Sequence, residues 1–198
     1  MIRKSFLVAA LLLPALAQAQ QPQFGMGAQL GYVANDGPTG SDFDGSFHLE
    51  AFGQLVFNPN VAVEAGWGHS TTTEDSAEDN TGKYTIEMSS NDLFAGVRLD
   101  LNPWGVFNLY GRGGLLYYYT TIDFAESFYG IKPAGKLEEI EEGIGYYLEG
   151  GGAFQVAPNM KLHVGLTYRN RQEYFEDSSR PFDMEELGLQ AGLTVTLP

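Results

Sequence analysis

The feature that most constrains this chain is an apolar alternation of period two that returns eight times. Successive side chains of a strand leave on opposite faces, so each such run marks a strand with one apolar face. The runs fall near residues 24–34, 45–57, 61–70, 84–101, 106–120, 144–156, 161–171 and 185–197. In the first, Phe24, Met26, Ala28, Leu30 and Tyr32 oppose Gly25, Gly27, Gln29 and Gly31. In the last, Leu187, Leu189, Ala191, Leu193, Val195 and Leu197 oppose Glu186, Gln190, Thr194 and Thr196. The alternation of the fourth run slips near Ser89–Asn91, which predicts a β-bulge there.

The connections alternate short and long. Asn58-Pro59-Asn60, Asn102-Pro103-Trp104-Gly105 and Ala157–Met160 read as tight turns, with Pro and Asn in turn-favouring places. Long polar loops are expected near 35–44, 71–83, 121–143 and 172–184. Short turns at one end and long loops at the other are how outer-membrane barrels are built, the short turns being periplasmic.

The N-terminus carries Arg3 and Lys4, an apolar stretch from Phe6 to Leu16, and Ala17-Gln18-Ala19. This is the pattern of an export signal, so residues 1–19 are expected to be cleaved and 20–198 to form one barrel domain. No apolar helical stretch of membrane-spanning length follows it, so any insertion must be as a closed barrel. Cysteine is absent, so disulfides contribute nothing to stability. Asp and Glu total 25 against 11 Lys and Arg, a net charge of −14, which argues against a nucleic-acid partner.

Alternation alone leaves open which face is outside, since a soluble barrel buries its apolar face. The apolar face here carries aromatics at both ends: Phe57, Phe107 and Phe154 near the short turns, and Trp67, Tyr117, Tyr119, Tyr146 and Tyr168 near the long loops. From Phe107 to Tyr117 is about 33 Å along a strand. A tilt of about 40° reduces this to about 25 Å, the height of an apolar membrane band. The opposite face mixes glycine with Glu50, Glu64, Arg98, Arg112, Glu149 and Arg169, and an eight-stranded lumen is narrow enough for side chains to fill. Those charges are expected to pair across the lumen: Glu64 beside Arg98, and Arg112, Glu149 and Arg169 at one height with Glu50 opposite. Lipid contact predicts that arginine at Leu115 is harmful and that serine at Gly114, on the other face, is milder.

With its strand pattern, loop rhythm and closing Leu187-x-Leu189-x-Ala191-x-Leu193-x-Val195-x-Leu197 run, the chain resembles the OmpA-type and opacity-type small outer-membrane barrels. The resemblance implies an all-β, eight-stranded, up-and-down transmembrane barrel. It also implies outer-membrane lipid and lipopolysaccharide as surroundings, and barrel-insertion machinery as a partner during biogenesis. Members usually end in an aromatic residue, whereas this chain ends Leu197-Pro198.

Three constellations merit chemical scrutiny. Ser46, His48 and Glu50 share a strand face and are the residue types of a hydrolytic triad, but they oppose the lipid face. Asp42-Phe43-Asp44-Gly45 resembles part of a calcium loop, yet the first and twelfth positions are Gly40 and Ala51 and lack ligand oxygens. Glu138, Glu139, Glu141 and Glu142 form the densest acidic run, expected in a solvated loop. His69 and His163 have no ligand-spaced partner in sequence. The expectation is therefore no catalytic, metal or cofactor site. The leading function is a structural surface barrel with acidic loops for contact or adhesion. The alternatives are a small-solute channel and, less so, a lipid-modifying hydrolase.

Overall fold

A computed structural model describes residues 22–36, 45–78, 82–104, 106–128, 137–174 and 182–197. Eight antiparallel strands follow one another around a closed barrel. They are β1 (Gln23–Asp36), β2 (Ser46–Asn58), β3 (Val61–Glu78), β4 (Gly82–Trp104), β5 (Phe107–Phe128), β6 (Leu137–Ala157), β7 (Met160–Tyr174) and β8 (Phe182–Thr196). β1 closes the sheet by pairing with β8, from Gly25↔Thr196 to Asp36↔Glu185.

All eight expected strands are present, and their apolar alternate residues face outward. Leu30, Leu93, Leu115, Leu148, Leu166 and Leu189 are all exposed, whereas Gln29, Glu50, Glu64, Arg112, Glu149 and Gln190 are buried inside. An apolar exterior over a polar interior is the arrangement that lipid demands. The aromatic ends also pair: Phe107 and Phe154 face each other across β5 and β6 at 4.8 Å, and Tyr146 and Tyr168 sit 6.0 Å apart near the other rim. Tyr32 and Phe47 add an edge-to-face pair at 5.5 Å.

The structure corrects several expectations at the loop end. The segments 71–78, 121–128, 137–143, 172–174 and 182–184 are strand rather than loop. β3 to β6 are 18, 23, 22 and 21 residues long, against 13 to 15 for the other four, so they project as a four-stranded sheet beyond the rim. The run Glu138–Glu142 lies on β6, opposite Asp123–Tyr119 of β5. The β6–β7 ladder ends at Gly145↔Arg171, so among the described residues Leu137–Ile144 are laddered on the β5 side alone. Asp42, Phe43 and Asp44 of the calcium-like stretch, and the expected signal segment, lie outside the described residues.

The expected bulge is displaced as well. β4 pairs without interruption with β5 through Ser89–Asn91. The irregularity sits on β3, where Ser70↔Ser90 is followed by Thr73↔Met88. What changes at Ser89–Asn91 is polarity. Below it Leu93 points out and Asp92 in; above it Glu87 is exposed and Met88 buried. Above the band the outer face meets water, and Met88, Tyr118, Ile122 and Met184 form an apolar cluster inside. At the other end, Asn102–Trp104 belong to β4, with Trp104 paired to Phe107, so that turn is tighter than expected.

Inside the barrel, small residues permit close approach. A β-carbon at Gly114 would overlap the Ala95 carbonyl oxygen, so the serine expected to be mild there is a steric clash. At Gly165 a β-carbon would overlap the Tyr110 hydroxyl and come 3.1 Å from Glu149 Oε1.

Candidate functional site

The lumen is the site that sequence and structure single out together. Six carboxylates (Glu50, Glu64, Asp92, Asp100, Glu149, Glu186) and four guanidiniums (Arg98, Arg112, Arg169, Arg171) are buried in it. Burying a lone charge is costly, so each must find a partner.

Arg112 of β5 is the hub. Its Nε donates to Glu149 Oε2 at 2.9 Å, Nη1 to Glu64 Oε1 at 3.1 Å, and Nη2 to Glu50 Oε2 at 2.5 Å and Glu149 Oε2 at 2.6 Å. One guanidinium thus ties β5 to β2, β3 and β6. Its planar fork suits this multiple role in a way a lysine would not. Tyr110 donates to Glu149 Oε1 at 2.5 Å and Tyr147 to Glu64 Oε1 at 3.2 Å. Gln29 of β1 donates to Glu50 at 2.6 Å and Glu149 at 3.1 Å, and also to Gln190 of β8.

A second layer lies toward the loop end. Arg169 bridges Glu50 and, at 3.4 Å, Asp92. Arg171 reaches Asp92 through Nε at 3.1 Å and Nη2 at 2.8 Å, and pairs with Glu186. A third layer lies toward the turn end, where Arg98 donates to Asp100 at 3.1 and 3.2 Å and stacks over the Tyr110 ring at 4.2 Å. Lys161 Nζ is 3.9 Å from Asp100. A chamber of about 520 Å³ opens below this layer, lined by Arg98, Asp100, Asn108, Lys161 and Thr194 among others.

The expected pairing is therefore right in kind and wrong in two partners. Glu64 bonds to Arg112 rather than Arg98, because Arg98 is held by Asp100 two residues along its own strand. Arg169 bonds to Glu50 and Asp92 rather than to Glu149. Strand stagger decides this: β6 pairs Glu149 with Thr167, not with Arg169. Asp92, Arg171 and Glu186 were legible as lumen-facing polar residues but not as an ion-paired set, since their partners come from strands far apart in sequence.

The suspected triad takes a different form. His48 Nδ1 lies 2.8 Å from Ser70 Oγ of β3, and His48 Nε2 lies 3.5 Å from Glu50 Oε1. Arg169 contacts both ring nitrogens and also holds Glu50. His48 and Glu50 are thus committed to the charge network, and both are buried in the lumen away from lipid. His69 lies on the outer face, stacked on Trp67 at 5.9 Å and bonded to Asn91 at 3.1 Å. His163 lies inside, bonded to Gln29 at 2.9 Å.

A closed eight-stranded sheet with an apolar, aromatic-banded exterior and a charge-filled lumen defines a transmembrane β-barrel of the bacterial outer membrane. The chain belongs to the outer membrane protein beta-barrel domain family, whose model matches residues 5–195. Among solved structures it is similar to Neisserial surface protein A, at 14% identity and a TM-score of 0.60, over 87% of this chain and 96% of that one. It is also similar to a major outer membrane protein from Thermus thermophilus, at 13% identity and a TM-score of 0.55, over 90% and 100% of the two chains. The outer membrane protein OprG from Pseudomonas aeruginosa matches at 10% identity and a TM-score of 0.51, over 91% and 97%. At such identities the likeness is one of fold. No curated protein matches the chain.

Proposed function

We propose that this barrel is a non-enzymatic contact protein of the cell surface, exported with loss of residues 1–19, which engages a basic partner through the projecting strands β3–β6. The observation that carries the reading is the β6 segment Leu137–Ile144, which is laddered to β5 alone among the described residues. A strand edge offers backbone donors and acceptors to an added strand. The outer face beside it exposes Ile140 and Ile144 together with Glu138 and Glu142, so it combines apolar anchors with negative charge. Carboxylates there attract Lys and Arg and disfavour acidic partners. The ion-paired lumen supports a contact role over a channel.

The test is binding of a lysine-rich extended peptide to cells displaying the barrel, compared with a Glu138→Lys/Glu142→Lys variant that still inserts. Binding should fall with added salt and be lost in the variant. Equal binding by both would reject the reading. A hydrolase is a separate matter: Ser46→Ala and Ser70→Ala should each leave the lipid A species of the membrane unchanged. Loss of a deacylated species in either would restore that alternative.

A further inference from the structure

We infer that the basic partner joins the barrel as an added strand on β6, and that this strand carries the pattern basic-x-apolar-x-basic. The inference rests on the contact reading above and adds where the partner's side chains must fall.

The length of the edge sets the length of the partner. The β6–β7 ladder ends at Gly145↔Arg171. Just above it Tyr118 of β5 lies against Gly143, where a β-carbon would overlap its ring, and its hydroxyl donates to Gln172 O of β7. That bond keeps β7 beside β6 up to this height. The edge that can take a strand is therefore Leu137–Glu142, laddered to Phe124–Tyr119 of β5 and to no second strand among the described residues. Such a stretch spans about 20 Å, so the partner segment is short. Backbone groups along it supply pairing, and the side chains beside it supply selectivity.

Register sets the pattern. Directly opposed residues stand about 5 Å apart on one face of a sheet, so each residue of an added strand extends a row that already crosses β3–β6. One row is Glu74, Glu87, Asp123 and Glu138, four carboxylates in paired positions. Like charges opposite one another destabilise a sheet, and a Lys or Arg opposite Glu138 ends this row with a counter-charge. Two residues along β6, the row Ser89, Thr121, Ile140 ends on an aliphatic side chain 53% exposed, which an apolar partner residue would cover. Two residues further, the row Asn91, Tyr119, Glu142 ends on a carboxylate to which Tyr117 donates at 2.6 Å, and a second basic residue fits there. Alternate residues share a face, so the three contacts fall at alternate positions of the partner. The pattern reads the same from either end and so serves a parallel or an antiparallel strand. The β3 edge ends the carboxylate row as well, at Glu74, but Ser76 and Glu78 follow on that face and offer no apolar anchor.

The barrel refolded in detergent micelles is titrated into fluorescent peptides at low salt, and binding is read by anisotropy. The patterned peptide is Thr-Thr-Lys-Thr-Val-Thr-Lys-Thr-Thr. Its isomer of equal composition, Thr-Thr-Lys-Lys-Val-Thr-Thr-Thr-Thr, should bind about tenfold more weakly, the size of three misaligned cross-strand pairs. Two further peptides carry the patterned sequence with backbone N-methyl groups, one on the Lys and Val residues and the other on the threonines between them. Only one of these sets turns its amides toward β6, so one methylated peptide should lose binding and the other keep it. Ile140→Asn, at an exposed side chain, should weaken the patterned peptide and leave the isomer unchanged. Equal binding of pattern and isomer, equal effects of the two methylated sets, or no change in Ile140→Asn would overturn strand addition on β6 while leaving a basic contact in place. Failure of every peptide to bind would remove the contact reading together with this one.

Discussion

Arg112 and Glu149 occupy paired positions on β5 and β6 and are joined by two hydrogen bonds to one carboxylate oxygen, at 2.9 and 2.6 Å. The same guanidinium also holds Glu50 and Glu64, so its loss would leave Glu64 and Glu149 buried without a guanidinium and Glu50 with Arg169 alone. Arg112→Met should therefore destabilise the folded barrel by about 3–5 kcal/mol, the range for breaking a buried ion pair from one side. Glu149→Gln should cost less, since Arg112 keeps two carboxylates. Urea unfolding, followed by the heat-modifiable gel shift, measures both. In planar bilayers the wild type should show no large steady conductance, and Arg112→Ala should raise it. A large wild-type conductance unaffected by Arg112→Ala would show that the network does not obstruct the lumen.

Leu115 is 65% exposed on the outer face of β5. Leu115→Arg places a charge against hydrocarbon and should cost up to about 2–4 kcal/mol, less toward the interface. The matched lumen control is Thr167→Val, which removes a buried hydroxyl without a partner among the described residues and should be close to neutral. Equal losses of inserted barrel in the two variants would contradict the inside–outside assignment.

The short turns should face the periplasm. Pro158-Asn159 joins β6 to β7, and Ser76 lies at the far end of β3 with its side chain exposed. On intact cells an impermeant thiol reagent should label Ser76→Cys and spare Asn159→Cys. The reverse labelling would invert the topology.

The strand count, the order of the strands and the inside–outside assignment were legible because a period of two is local: each residue declares its face beside its immediate neighbours. The projecting sheet was not legible. Beyond the apolar band the outside becomes polar and the inside apolar, so Glu87, Met88 and Ser89 break the polarity rule while obeying the geometric one. Glu138–Glu142 looked like a solvated loop because glutamates occupy both faces of the strand there, Glu138 and Glu142 beside the exposed Ile140 and Glu139 and Glu141 on the opposite face. The lumen partners were legible only by face, because Arg171 meets Asp92 across 79 residues of sequence and their relative height depends on stagger accumulated over several strands. Ser70 as the serine beside His48 follows from their paired register positions on β2 and β3. Register could not be read from either strand alone.

The seam between β1 and β8 bears on how the chain folds. Gln29 of β1 touches Glu50, Glu149 and Gln190, and Glu186 of β8 supplies a partner to Arg171. Leu197 N also donates to Phe24 O at 2.7 Å, sealing the last strand to the first. A sheet of seven strands would leave Arg171 without that carboxylate and two strand edges without backbone partners, in a solvent that supplies neither. Closure is thus where Arg171 gains its β8 carboxylate and the strand edges vanish at once. That makes assembly in lipid an all-or-none event, and a chain cut before β8 should yield no smaller barrel.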